Sequence, residues 1–149
     1  MQKVMKVQLY GLLAALVITP SMTAYAADRF DGKSSLVCTV HQLHECDAHG
    51  GCQLVPEETA DDIRHLGFNF SDKSVHTEHW DARSGSSIDR VETVNNILVI
   101  QGMDSGNTLD TDGAGWTVSV NRRYGTMVMT VSGHDVGFVG LGSCITADR

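Results

Sequence analysis

Sixty residues, Ser86 to Ile145, constrain the fold more than any other stretch. They read as short apolar runs (SIDRVETV, ILVIQGM, GWTVSVN, TMVMTVSG, VGFVGLGSCI) separated by Gly, Asn and Asp. Apolar residues recurring at every second position mark strands with one buried face, and the residues between the runs mark tight turns. Asn95-Asn96 is the sharpest of these turns, because Asn tolerates the positive φ that a two-residue hairpin demands.

Upstream, Ser35 to Leu43 reads as a first strand and His44 to Pro56 as a Gly- and His-rich loop bearing cysteines. Thr59 to Leu66 has the marks of one short helix: Thr59 as N-cap, Asp61-Asp62 in the first turn and Gly67 as the stop. Phe68 to Phe70 lead through Ser71-Asp72-Lys73 into Val75–Trp80 as a hairpin. Ser86–Val94, Ile97–Met103, Trp116–Asn121, Thr126–Ser132 and Val136–Ile145 complete the strands, with Asp104 to Gly115 the longest loop among them. About eight strands with short connections imply antiparallel neighbours in sequence order. Such a meander hides its edges best as an all-β, up-and-down barrel, with a two-sheet β-sandwich as the alternative.

The first 26 residues read as a signal peptide. Lys3 and Lys6 precede the apolar run Val7–Ile18, and Ala24-Tyr25-Ala26 supplies the small residues of a cleavage site. Cleavage near Ala26 leaves residues 27–149 as one barrel domain in the periplasm or outside the cell. The expected mature chain contains no membrane span. Removing the two leader lysines from eleven Lys plus Arg leaves nine against eighteen Asp plus Glu, a charge of −9. That balance argues against nucleic acid as a partner and favours, if anything, a cationic protein.

Four cysteines, Cys38, Cys46, Cys52 and Cys144, point to two disulfides in an exported chain. Three pairings are open. Cys46–Cys52 is favoured because Ala48-His49-Gly50-Gly51 can turn between them, which leaves Cys38–Cys144 to tie the first strand to the last.

Gly115-Trp116, Gly125-x-Met127, Gly140-x-Gly142-x-Cys144 and the Cys38/Cys46/Cys52 cluster resemble small exported bacterial proteins of unassigned function. The strand layout looks like the lipocalin and fatty-acid-binding class of small barrels. That resemblance implies an architecture and carries over no catalytic residue.

Seven histidines are the most unusual compositional feature. His41, His44 and His49 lie among three cysteines and are the candidate ligands for a transition metal. His76 and His79 form a second HxxH. On a strand, residues three apart face opposite sides, so either pair chelates only in a turn. Otherwise no cofactor is expected. Thr108-x-Asp110-x-Asp112-Gly113 falls short of a calcium loop, because it lacks an acid at the first position and Ser119 stands where a Glu is needed. Ser132, His134 and Asp135 are adjacent in sequence but splay in a tight turn. Gly137-x-x-Gly140-x-Gly142 opens no helix and so makes no phosphate cradle. The expected protein is not an enzyme. It is a binding module for a small apolar or amphipathic ligand, with Trp116, Met127 and Met129 as pocket candidates. An inhibitor of a cationic envelope enzyme and a histidine-based metal binder are the alternatives.

Overall fold

The computed structural model describes residues 29–59, 63–77, 86–105 and 113–147. The leader and its cleavage site lie outside these residues, as do His79, Trp80 and positions 106–112. Nine strands run in chain order: β1 Leu36–Asp47, β2 Gly51–Leu54, β3 His65–Asn69, β4 Ser74–Thr77, β5 Ser86–Val94, β6 Ile97–Asp104, β7 Ala114–Asn121, β8 Thr126–Ser132 and β9 Val136–Thr146. All pair antiparallel in the order β2-β1-β3-β4-β5-β6-β7-β8-β9, and β1 also pairs with β9. That last pairing closes eight strands into a barrel and leaves β2 as an extra strand beside the upper half of β1.

The closing seam is the longest ladder, from Leu36↔Thr146 to Asp47↔Val136. Cys38 and Cys144 stand opposite each other in it and are disulfide-bonded across 106 positions of sequence, with their Cα atoms 3.9 Å apart. Cys46 and Cys52 are bonded in the same way across the β1–β2 hairpin. The region expected as a loop from His44 to Pro56 is therefore a paired hairpin. All four β2 residues are exposed, so no buried face leaves an alternating trace in the sequence.

The middle of the short helix expected over Thr59–Leu66, residues 60–62, lies outside the described residues. Before it, Glu57–Thr59 form a 3-10 turn, and its last two positions, His65 and Leu66, pair with Thr39 and Cys38 in the sheet. At those two positions backbone pairing with β1 outweighs the local helix signals, as tertiary context commonly does.

Inward positions fill the barrel. Leu36, Cys38, Phe68, Leu98, Ile100, Val118 and Val120 are fully buried, and Met127 and Met129 lie beside them in the same core. An eight-strand barrel is just wide enough for side chains to fill or to hold one small ligand. Bulges in β1 at His41 and in β5 at Asp89 shift the register while keeping apolar residues inward on both sides.

One end, where β1 begins, is closed by the segment before it. Phe30 is buried there; its carbonyl accepts from Arg122 Nε at 3.2 Å, and its ring lies against Gly125. Gly125 has φ +72°, a conformation only glycine adopts freely, and a Cβ would stand 2.7 Å from the Phe30 ring.

Candidate functional site

The opposite end of the barrel, where β1 finishes, has a different chemistry. There the inward positions continue as Trp116, Val131 and Phe138, which face one another across the β7–β8 and β8–β9 ladders. All three are half-buried and pack on the core. The indole stands 6.0 Å from the Phe68 ring, and its Nε1–H donates to Ser86 Oγ at 3.2 Å. Trp116 is thus held by strands on two sides while part of it stays exposed.

Around this apolar floor stand carboxylates. Glu45 is opposite Phe138, Asp47 opposite Val136, and Asp104 opposite Ala114, so alternation puts all three on the inner side of the rim. Asp135 sits in the neighbouring β8–β9 turn beside His134, whose Nδ1 is 2.9 Å from its carboxylate. Among the described residues the basic side chain toward this end is Arg64, just before β3, and it pairs with Glu57. The Phe30 end carries Arg29, Lys33, Lys73, Arg122 and Arg123 against Asp31 and Asp72. Among the described residues most of the basic side chains therefore lie at the Phe30 end.

Asp47 is partly committed to its own turn. Its Oδ1 accepts from the Gly50 N–H, and from the His49 N–H at 2.6 Å, and these two bonds hold the carboxyl below its usual range. Glu45 is exposed.

The candidate metal ligands do not meet. His41 occupies the β1 bulge with Nε2 2.9 Å from Ser143 Oγ. His44 points outward between Leu54 and Val139, and His49 sits at the hairpin tip. Among the described residues, no group of three His, Cys, Asp or Glu side chains is placed to hold a metal ion. His76 bonds Ser74 Oγ at 2.7 Å instead. Of the three pocket candidates, Met127 and Met129 are buried in the core, whereas Trp116 is half-buried.

A pocket of about 270 Å³ does exist, but in the wall. It lies beside β1 in the gap between β2 and β3, framed by Val40 N–H donating to the Arg64 carbonyl and Val55 N–H donating to that of Leu43. Its lining is apolar apart from His41, Gln42, Glu57 and Arg64. The Arg64 guanidinium donates to the Glu57 carbonyl at 2.9 Å and pairs with its carboxylate at 3.4 Å.

Sequence reasoning missed Glu45, Asp104 and Phe138. The usable signal was that inward alternation in β7, β8 and β9 continues to the strand ends in bulky apolar residues, where a sealed barrel would turn polar.

The geometry defines a closed antiparallel barrel with an apolar core, one end closed over by Phe30, and at the other an apolar Trp116–Val131–Phe138 cluster near Glu45, Asp47 and Asp104. No protein-family model matches the chain, and neither does any curated protein or solved structure. Among the described residues no helix is long and apolar enough to cross a membrane.

Proposed function

We propose that this protein is a non-catalytic, exported binding module that holds a cationic protein segment at the acidic end of its barrel. The observation that carries this reading is the Trp116–Val131–Phe138 floor ringed by Glu45, Asp47 and Asp104. Aromatic side chains offer large, stiff contact area, and a ring of carboxylates steers a basic partner onto it. Met127 and Met129, the other pocket candidates, are buried in the core, so this reading rests on the half-buried Trp116. Two disulfides are compatible with the oxidising periplasm or extracellular space.

The test is titration of the purified protein with Lys/Arg-rich peptides and with acidic controls, followed by calorimetry and indole fluorescence. Basic peptides should bind, weaken steeply as salt rises, and weaken further in Glu45→Gln and Trp116→Leu variants. Binding that is indifferent to both substitutions, or absent at low salt, overturns the reading. A second reading, a small amphipathic ligand in the wall pocket, rests on the apolar lining beside Arg64. It calls for native mass spectrometry of protein isolated from its host, where a bound small molecule lost in a Leu54→Asp variant would support it.

A further inference from the structure

Two features of the surface converge on the Phe30 end. The first is positive charge. Arg29, Lys33, Lys73, Arg122 and Arg123 lie there, whereas the other described basic residues, Arg64 and Arg90, stand on the wall beside Glu57 and Glu92. The two described acids of this end are engaged by their own turns. Asp31 accepts from the Lys33 and Ser34 N–H groups, and Asp72 from the Ser74 N–H and hydroxyl.

The second is exposed apolar surface. The β5–β6 hairpin stands clear of the barrel, since every β5 residue from Asp89 to Val94 is exposed, on both faces of the strand. Near its tip Val94 and Ile97 are cross-strand partners, 53% and 43% exposed. The β7–β8 turn lies alongside, tied by the Arg122 N–H donating to the Asn96 carbonyl at 3.0 Å. That turn presents Tyr124, 69% exposed, with the Arg123 guanidinium carbon 5.4 Å from its ring centroid. Beyond it Ile145 and Val37 face each other on β9 and β1, and both are exposed. Turns are ordinarily polar, and apolar side chains gathered on them among charges mark a surface that meets something other than water.

We infer that this end docks on an anionic lipid membrane, with the barrel standing on its Phe30 end and the acidic rim pointing away. Cations by themselves would suit any polyanion. Apolar tips set among cations match a bilayer interface, where anionic head groups overlie acyl chains and Tyr rings settle between the two. The shape agrees. These side chains project from turns and strand ends, and a fluid lipid surface closes around projections, whereas a folded acidic partner would need a matching hollow. The chain's formal −7 does not oppose this docking. Salt screens charges beyond about 8 Å. The acids of the far rim lie a strand away, roughly 23 Å along the eight residues of β6. The local cations therefore decide the sign of the interaction. The acidic rim fixes the orientation, because the surface that binds one end repels the other.

Cosedimentation with vesicles of equal parts phosphatidylglycerol and phosphatidylcholine tests this, with pure phosphatidylcholine vesicles alongside. Anionic vesicles should pull down the protein, less so as salt rises, and neutral ones hardly at all. Lys33→Gln combined with Arg123→Gln should weaken the binding at least about tenfold. Val94→Ser combined with Tyr124→Ser should do the same by removing inserted apolar area. Met103→Ser, which removes a comparably exposed apolar residue at the far end, should leave the binding unchanged. Tyr124→Trp should add indole quenching by brominated lipid chains. Near-ultraviolet circular dichroism checks that each variant keeps the native fold; where a pair does not, Arg123→Gln and Tyr124→Ser serve singly, at about threefold each. No binding to anionic vesicles at low salt, or binding indifferent to both pairs, would overturn the inference. So would equally tight binding of soluble polyglutamate, which would assign this end to an acidic protein. Peptide binding at the acidic rim is measured without lipid and stands or falls separately.

Discussion

Gly102 and Trp116 stand directly opposite each other on β6 and β7, and the indole occupies the volume a side chain on Gly102 would need. A Cβ at position 102 would fall inside contact distance of both the Trp116 ring and the Ser87 carbonyl. The floor of the acidic end is thus shaped by an absence as much as by the ring itself.

Gly102→Ala is therefore expected to destabilise the fold by about 2 kcal/mol or more, in the range of overpacked cores. Trp116→Phe should relieve part of this, so the double variant should cost about 1 kcal/mol less than the sum of the single ones. Urea unfolding of the four proteins measures it, and strict additivity would show that ring and glycine do not interact.

The two disulfides should differ in what they contribute. A crosslink across 106 positions restricts the unfolded chain more than one across six. The chain-entropy treatment gives about 4.7 kcal/mol for a loop near the longer length and about 2.4 kcal/mol for the shorter. Paired Cys→Ala variants at 38/144 and at 46/52, compared by guanidinium unfolding, should fall in that order. Equal losses would mean that the seam stays closed without its crosslink in the unfolded reference.

Phe30 gives a third expectation. It is buried against Gly125 and fixed by Arg122 although it precedes the first strand. Phe30→Ala should cost about 3 kcal/mol, as for large-to-small changes in cores. Hydrogen exchange should then quicken first at the β7–β8 turn and at the start of β1. A loss below the error of the measurement would show that the plug is dispensable.

Acid should weaken the fold through three turn carboxylates. Asp31 is held below its usual range chiefly by the Lys33 N–H, Asp47 by the Gly50 N–H and Asp72 by the Ser74 hydroxyl. Each is more acidic folded than its ordinary 3.8, so the unfolded chain takes up protons first as pH falls. The stability they contribute is complete above about pH 5 and is lost as pH drops through the folded values. Thermal midpoints measured from neutral pH downward should stay flat in this respect until that window and then decline. The three carboxylates would be ruled out as the source if the Asp31→Asn, Asp47→Asn and Asp72→Asn variants showed the same decline as wild type.

Much of the barrel was legible because its signals are local. Thr126–Ser132 alternates cleanly and is β8 to the residue, and Asn95 does take the positive φ, 54°, that its turn requires. β2 was not legible, since Gly51-Cys52-Gln53-Leu54 buries no face and is held by β1 partners four to ten residues earlier. The end of the expected Thr59–Leu66 helix was misread for the converse reason: its stop signal is local, while the pairing of His65 and Leu66 is with β1. Whether Met127 and Met129 line a cavity or fill one depends on the summed volume of all inward residues, which no single strand reveals. The acidic rim needed the register, because Glu45 meets Phe138 only once the His41 bulge is placed.

The seam crosslink is hidden and the hairpin crosslink is not: Cys38 is buried inside the barrel, whereas Cys52 lies in solvent. A thiol in the surroundings can attack the second in the native protein, since exchange needs only access to a sulfur. It can reach the first only when the cylinder comes apart. The lifetime of the seam under reducing conditions is therefore set by how often the barrel opens rather than by the strength of the reductant, and the closure that forms last in sequence is the one most shielded from chemistry.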